Sequence, residues 1–179
     1  RMFTEDPLWW KSVQVTTAYV IVSVPLQLAF ALLLATLLNR GLKGMGLWRA
    51  VYYLPSLFGT GVAVAILWRE MFGSTGLLNQ LLGLIGIHTT TSWIGDPDWS
   101  LGTIILLRVW EFGSPMIIFL AGLRQIPADI YEAAAIDGAG PVRKFFSITL
   151  PMLTPIIFFN LILQLISAFQ VFGSAFIIG

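Results

Sequence analysis

Residues 20–38 read VIVSVPLQLAFALLLATLL, and no Asp, Glu, Lys or Arg stands anywhere between Lys11 and Arg40. A helix needs about 20 mostly apolar residues to cross a hydrocarbon layer, so this stretch reads as a membrane span. Three more segments follow it. Residues 50–68 (AVYYLPSLFGTGVAVAILW) form a second apolar run, and residues 101–123 a third that carries Arg108 and Glu111. The fourth lies in the charge-free tail after Phe145. The expected spans are 13–39, 48–70, 101–124 and 151–178, within one domain over 1–179. Residues 77–87 (LLNQLLGLIGI) are apolar but too short to cross and read as an interfacial or packed helix.

Composition agrees with a bilayer as solvent. The 179 residues are 57% hydrophobic and 11% charged, with a mean hydropathy of +0.85. An average soluble domain carries roughly 25% charged residues. Cysteine is absent, which removes disulfides, thiol chemistry and Cys-bearing metal sites. The single histidine, His88, builds no zinc site alone and reads as a polar loop residue. Arg1 in place of a methionine, and the stop at Gly179 inside an apolar run, read as the ends of a piece of a longer chain. No signal peptide is visible.

Each span holds a proline, Pro25, Pro55, Pro115 or Pro155. In a membrane bundle, neighbouring helices and Ser/Thr side chains satisfy the carbonyls that proline frees, so kinked spans are acceptable. Lys and Arg in the loops orient the bundle. Arg40, Lys43 and Arg49 lie between spans one and two, and Arg124, Arg143 and Lys144 between spans three and four. The intervening segment has only Arg69, beside Glu70, Asp96 and Asp98. The two basic segments are therefore expected on the cytoplasmic side.

The loop over 125–150 is more than a connector. Residues 126–151 read IPADIYEAAAIDGAGPVRKFFSITLP. Good helix formers fill 128–137, Gly138 stands where a helix ends in a left-handed turn, and Pro141 suits the first turn of a second helix. A helix, a glycine turn and another helix leading into the last span make a knob suited to transmitting force from a cytoplasmic partner.

In that loop Glu132-Ala133-Ala134 is followed after three residues by Gly138, and after nine more by Ile148, one residue, and Leu150-Pro151. This pattern resembles the EAA signature of ABC importer permeases at every defining position. Other stretches resemble successive landmarks of the carbohydrate-uptake branch: residues 49–55, Gly76-Leu77-Leu78-Asn79, Trp93-Ile94-Gly95-Asp96-Pro97 and residues 119–123. The wording around Glu132 is similar to the MalF-like member of a permease pair.

The resemblance implies an all-α, polytopic membrane bundle, the transmembrane domain of a type I ABC importer, with about four of its six core spans here. It makes Glu132, Ala133, Ala134, Asp137 and Gly138 ATPase-coupling residues. It further implies a second, MalG-like permease subunit, an ABC ATPase dimer and an extracytoplasmic solute-binding protein as partners, with lipid around the spans and no nucleic acid. ATP and Mg would bind the partner ATPase and no cofactor this chain. The setting implied is the inner membrane of a prokaryote.

Charged groups at bilayer depth are paired, face a cavity, or both. Arg108 and Glu111 are three apart, close enough to pair on one helical face. With Trp110, Asn160 and Gln164 they are candidates for lining a path for a polar solute; Ser56 and Thr60, after Pro55, are further candidates. The alternative for this pair is a structural ion pair, with the amides as interhelical bonds of about 0.6 kcal/mol each. No catalytic or metal-binding residues are expected, and no phosphate-binding G-x-x-x-x-G-K-[ST] loop occurs. The cargo expected from the branch is a sugar or oligosaccharide, with glycerol-3-phosphate or another polar solute as the alternative. An ion-coupled secondary transporter, with Arg108 and Glu111 as a charge relay, is a more distant alternative because it leaves the EAA loop unexplained. A membrane enzyme has no motif to support it.

Overall fold

The computed structural model of the chain describes residues 7–39 and 62–170. Arg40, Lys43, Arg49, Ser56, Thr60 and the stretch 49–55 lie outside the described residues, as do the second expected span before residue 62 and the fourth beyond 170. The described residues are helical, without a strand: α1 Pro7–Leu38, α2 Val62–Phe72, α3 Leu77–Leu84, α4 Pro97–Trp110, α5 Gly113–Leu123, α6 Ala128–Ile136, α7 Pro141–Lys144, a π-helical turn Phe145–Thr149, and α8 Leu150–Phe169. Two helical stretches, Trp9–Leu38 and Pro141–Phe169, are long and apolar enough to cross a membrane; counting α4 and α5 as one bent span gives a third.

α1 shows how the bundle is arranged. Its buried stripe is Tyr19, Val20, Ser23, Val24, Gln27, Leu28, Ala31, Ala35 and Leu38. The opposite face exposes Ile21, Val22, Leu26, Leu33 and Leu37. Polar residues point inward and large apolar ones outward, the reverse of a helix on a water-soluble protein. A lipid surround accounts for this, since it rewards apolar contact on the outside and leaves polar groups to find partners within.

The small Ala31 and Ala35 let α1 lie close to α5, and with Val24 they pack in one core with Met116, Phe119, Leu120 and Leu153. Phe30 meets Phe112 edge-on at 5.1 Å. Gly122 serves the same end between α5 and α8: a Cβ there would collide with the side chains of Ile156 and Leu153. Of α1's most apolar stretch 39% is buried inside the chain, against 17% for the last helix. α8 therefore depends on its surroundings for cover.

The segment 101–124, expected as a span that Pro115 can kink, is not a single helix. It is two helices, α4 and α5, bent by 42° at their junction. The cause is Pro115, which has no N–H to give the carbonyl four residues back, that of Glu111. The break accordingly falls just before the proline, at Glu111 and Phe112. α4 also starts earlier than expected, at Pro97, because the Asp96 carboxylate accepts from the Asp98 amide at 3.0 Å and caps the helix.

Between α2 and α4 the chain folds on Asn79. Its Nδ2 donates to the carbonyls of Ser74 (2.8 Å) and Thr91 (2.9 Å), and its Oδ1 accepts from Trp93 Nε1 at 2.7 Å. The hydroxyl of Thr103 then donates to the Trp93 carbonyl at 2.8 Å, tying this loop to α4. The two short landmarks around Asn79 and Trp93 are thus halves of one hydrogen-bonded unit. Within it α3 exposes Leu77, Leu81 and Leu84 at i, i+4 and i+7, an apolar edge suited to a membrane boundary.

Candidate functional site

Three helices contribute polar side chains to one layer inside the bundle. α1 supplies Tyr19, Ser23 and Gln27, spaced by four and therefore stacked on one face. The α4–α5 junction supplies Arg108 and Glu111, and α8 supplies Asn160 and Gln164. Arg108 Nη1 meets Glu111 Oε2 at 3.4 Å. Its Nη2 donates to Gln164 Oε1 at 2.8 Å and to the Gln164 carbonyl at 3.3 Å. Gln27 Nε2 donates to the Glu111 carbonyl at 3.0 Å, the group left without a helical donor by Pro115.

Burial sets the character of this layer. Arg108 is 6% exposed, Gln27 1% and Asn160 0%. A charge at the centre of a span costs on the order of 3 kcal/mol to insert, and here a carboxylate and two carbonyl oxygens surround it. The structure brings Arg108, Glu111 and Gln164 into contact. Asn160 lies one turn before Gln164 on α8, fully buried, and neither its Nδ2 nor its Oδ1 has a hydrogen-bond partner among the described residues. Trp110 goes elsewhere: its ring meets Trp68 edge-on at 6.0 Å, in a small cluster with Ile94 and Leu107. Ser56 and Thr60 lie outside the described residues. Tyr19, Ser23 and Gln27 were not anticipated, although their i, i+4, i+8 spacing in a charge-free span was a readable signal.

The second site is the helix pair. α6 has no buried residue, and Ile136 is 88% exposed. Glu132, Ala133, Asp137 and Gly138 are exposed and Ala134 is half-buried. Gly138 turns the chain with φ of 74°, and Pro141 opens α7. A side-chain bond ties α6 to the bundle: the Tyr131 and Thr149 hydroxyls are 2.7 Å apart. Thr149 lies in the π-helical turn at the root of the last span. α6 and the base of α8 are thus in direct hydrogen-bonded contact.

Among the described residues, no group of His, Cys, Asp and Glu is arranged to hold a metal ion.

The sequence as a whole has known relatives. Residues 7–179 match the family model described as binding-protein-dependent transport system inner membrane component. The probable ABC transporter permease protein YesP of Bacillus subtilis is 54% identical over 179 residues, 100% of this chain and 58% of that protein. The lactose transport system permease protein LacF of Rhizobium radiobacter is 38% identical over 174 residues, 96% of this chain and 58% of that protein. The chain thus spans 58% of the length of these two relatives. Among solved structures, a bacterial ABC transporter involved in the import of the acidic polysaccharide alginate superimposes with a TM-score of 0.83 at 26% identity, over 93% of this chain and 59% of that one.

Proposed function

The chain belongs to the family of binding-protein-dependent transport system inner membrane components, and from that premise we propose that it is the solute-translocating permease part of an ABC importer of sugars or oligosaccharides. The observation that carries this reading is the exposed helix pair α6–α7: a segment without a single buried residue in α6, joined through Tyr131 and Thr149 to the root of a membrane-spanning helix. An ATPase cleft is the occupant this geometry suits. Glu132, Ala133, Ala134, Asp137 and Gly138 are the coupling residues in this reading, and the pair faces the cytoplasm. A second permease subunit and an extracytoplasmic binding protein complete the assembly; the ATPase supplies the hydrolysis, and this chain supplies the path.

The sugar class is supported by the lactose permease among the relatives and by the alginate importer among the structures. Within the polar layer the roles divide. For Arg108, deep burial and two bonds to Gln164 favour an interhelical clamp over direct contact with solute. For Asn160, two unused amide atoms favour contact with a passing hydroxyl or water when the helices part.

The deciding experiment reconstitutes the full-length protein with its ATPase and binding protein and measures which solutes stimulate ATP hydrolysis. Stimulation by a neutral saccharide is expected. Stimulation by glycerol-3-phosphate alone would replace the sugar assignment, and failure to associate with any ABC ATPase would overturn the importer reading.

A further inference from the structure

Two cavities meet at the end of the bundle that carries α6 and α7. One, of about 560 Å³, is lined partly by polar groups: Asn39 from the end of α1, Tyr131 from α6, and Lys144 at the end of α7. The other, of about 440 Å³, is lined almost wholly by apolar side chains, among them Leu33 and Leu37 of α1, Phe146 and Leu150. Thr36, Phe145 and Phe146 line both, so the two form one continuous groove between α1 and the base of the last span. The seam is the π-helical turn Phe145–Thr149, the kind of helix irregularity that recurs at functional positions.

We propose that this groove binds one anionic phospholipid, its phosphate at Lys144 and Asn39 and an acyl chain along Leu33, Leu37 and Phe146. Charge argues for this occupant. No Asp or Glu lines either cavity, and the one ion pair among the described residues is Arg108–Glu111, so the half-buried Lys144 has no carboxylate within 4.0 Å among them. Position argues the same way. The apolar half opens beside the outward face of α1, where Leu33 and Leu37 are 54% and 43% exposed, and the polar half sits where that face ends. Basic side chains at such a boundary attract anionic headgroups. An apolar helix would fill the lower half but leave Lys144 unanswered, and a free phosphate would leave the lower half unfilled.

The consequence lies in what the lipid touches. Tyr131 belongs to the exposed α6, and its hydroxyl is already bonded to Thr149 of the π-helical turn. A headgroup beside Tyr131 would brace α6 against the last span, making lipid occupancy a condition on how firmly the helix pair is held. The inference rests on the membrane setting of the family; lipid binding itself needs no ATPase.

The test is native mass spectrometry of the assembled full-length protein, offered phosphatidylglycerol and phosphatidylcholine of identical chains in equal amounts. Retention of one phosphatidylglycerol with about fivefold preference is expected, the size of one lysine–headgroup attraction. Lys144→Gln should remove the preference and Lys144→Arg keep it, while glycerol phosphate without acyl chains should not compete. Equal retention of the two lipids, or an unchanged preference in Lys144→Gln, would overturn the proposal. Competition by glycerol phosphate would reassign the groove to a free phosphate and overturn it equally. ATPase association, measured on the same preparation, bears only on the importer reading.

Discussion

Gln27 of α1 donates its side-chain amide to the main-chain carbonyl of Glu111 at 3.0 Å, replacing the helical N–H that Pro115 lacks. A residue 84 positions away in the chain thus completes the hydrogen bonding of a helix break. Where no water competes, a lost partner leaves the carbonyl at its full desolvation cost, about 1–3 kcal/mol. Gln27→Leu is expected to lower the thermal midpoint of the detergent-solubilised protein. In a Pro115→Ala background, where the amide returns, the same change should cost measurably less. Equal costs in the two backgrounds would separate Gln27 from the break.

The Arg108–Glu111–Gln164 group should respond as a buried clamp does. Breaking one side of a buried ion pair is strongly destabilising, about 3–5 kcal/mol, whereas replacing both partners with apolar residues is often close to neutral. Glu111→Leu should therefore impair folding more than the Arg108→Met and Glu111→Leu double substitution, as read from expression and thermal midpoint. For function, Glu111→Gln keeps the shape of the side chain. A path residue would change uptake while basal ATP turnover stays put; a clamp would move both or neither.

What the sequence made readable, and what it did not, follows from range. Hydropathy and proline are local, so the apolar crossing of α1, the left-handed turn at Gly138 and the start of α7 at Pro141 could all be read directly. The Arg108–Glu111 pair was also local, three residues apart on one helix. The polar spacing of Tyr19, Ser23 and Gln27 was local too, but the partner of Gln27 was not, because it is a main-chain carbonyl exposed by a proline in another helix. Trp110 was grouped with its neighbours in sequence although its ring turns towards Trp68. Helical phase decided that: Arg108 and Glu111 share a face that Trp110 does not.

Asn79 gives a prediction for the loop between α2 and α4. Its amide bonds the carbonyls of Ser74 and Thr91 and the Trp93 indole, and it is 8% exposed. Asn79→Leu removes these bonds and is expected to expose 73–96 to added protease at least tenfold faster, by release of about 1.5–3 kcal/mol of local stability. The spans should remain protected in the same digest. Cleavage within α1 or α8 would show that Asn79 supports the whole bundle instead.

Gly138 offers the sharpest separation of folding from coupling. With φ of 74° it occupies a conformation that side chains with a Cβ resist, and beyond its two chain neighbours no described residue comes within 4 Å of where a Cβ would stand. The penalty of a substitution is therefore backbone strain alone, on the order of 1 kcal/mol for Ala and more for a β-branched residue. A 1 kcal/mol penalty confined to an exposed turn leaves the bundle core untouched. Gly138→Val should then leave the thermal midpoint within a few degrees of the parent protein. The direction in which α6 leads into α7 would change, and with it the line from Tyr131 to Thr149. In reconstituted assemblies, binding-protein-stimulated ATP hydrolysis should fall at least tenfold in Gly138→Val and by less in Gly138→Asn, since asparagine tolerates the left-handed region. Equal stimulation in all three proteins would mean that the turn is only a connector and that the ATPase reads some other surface.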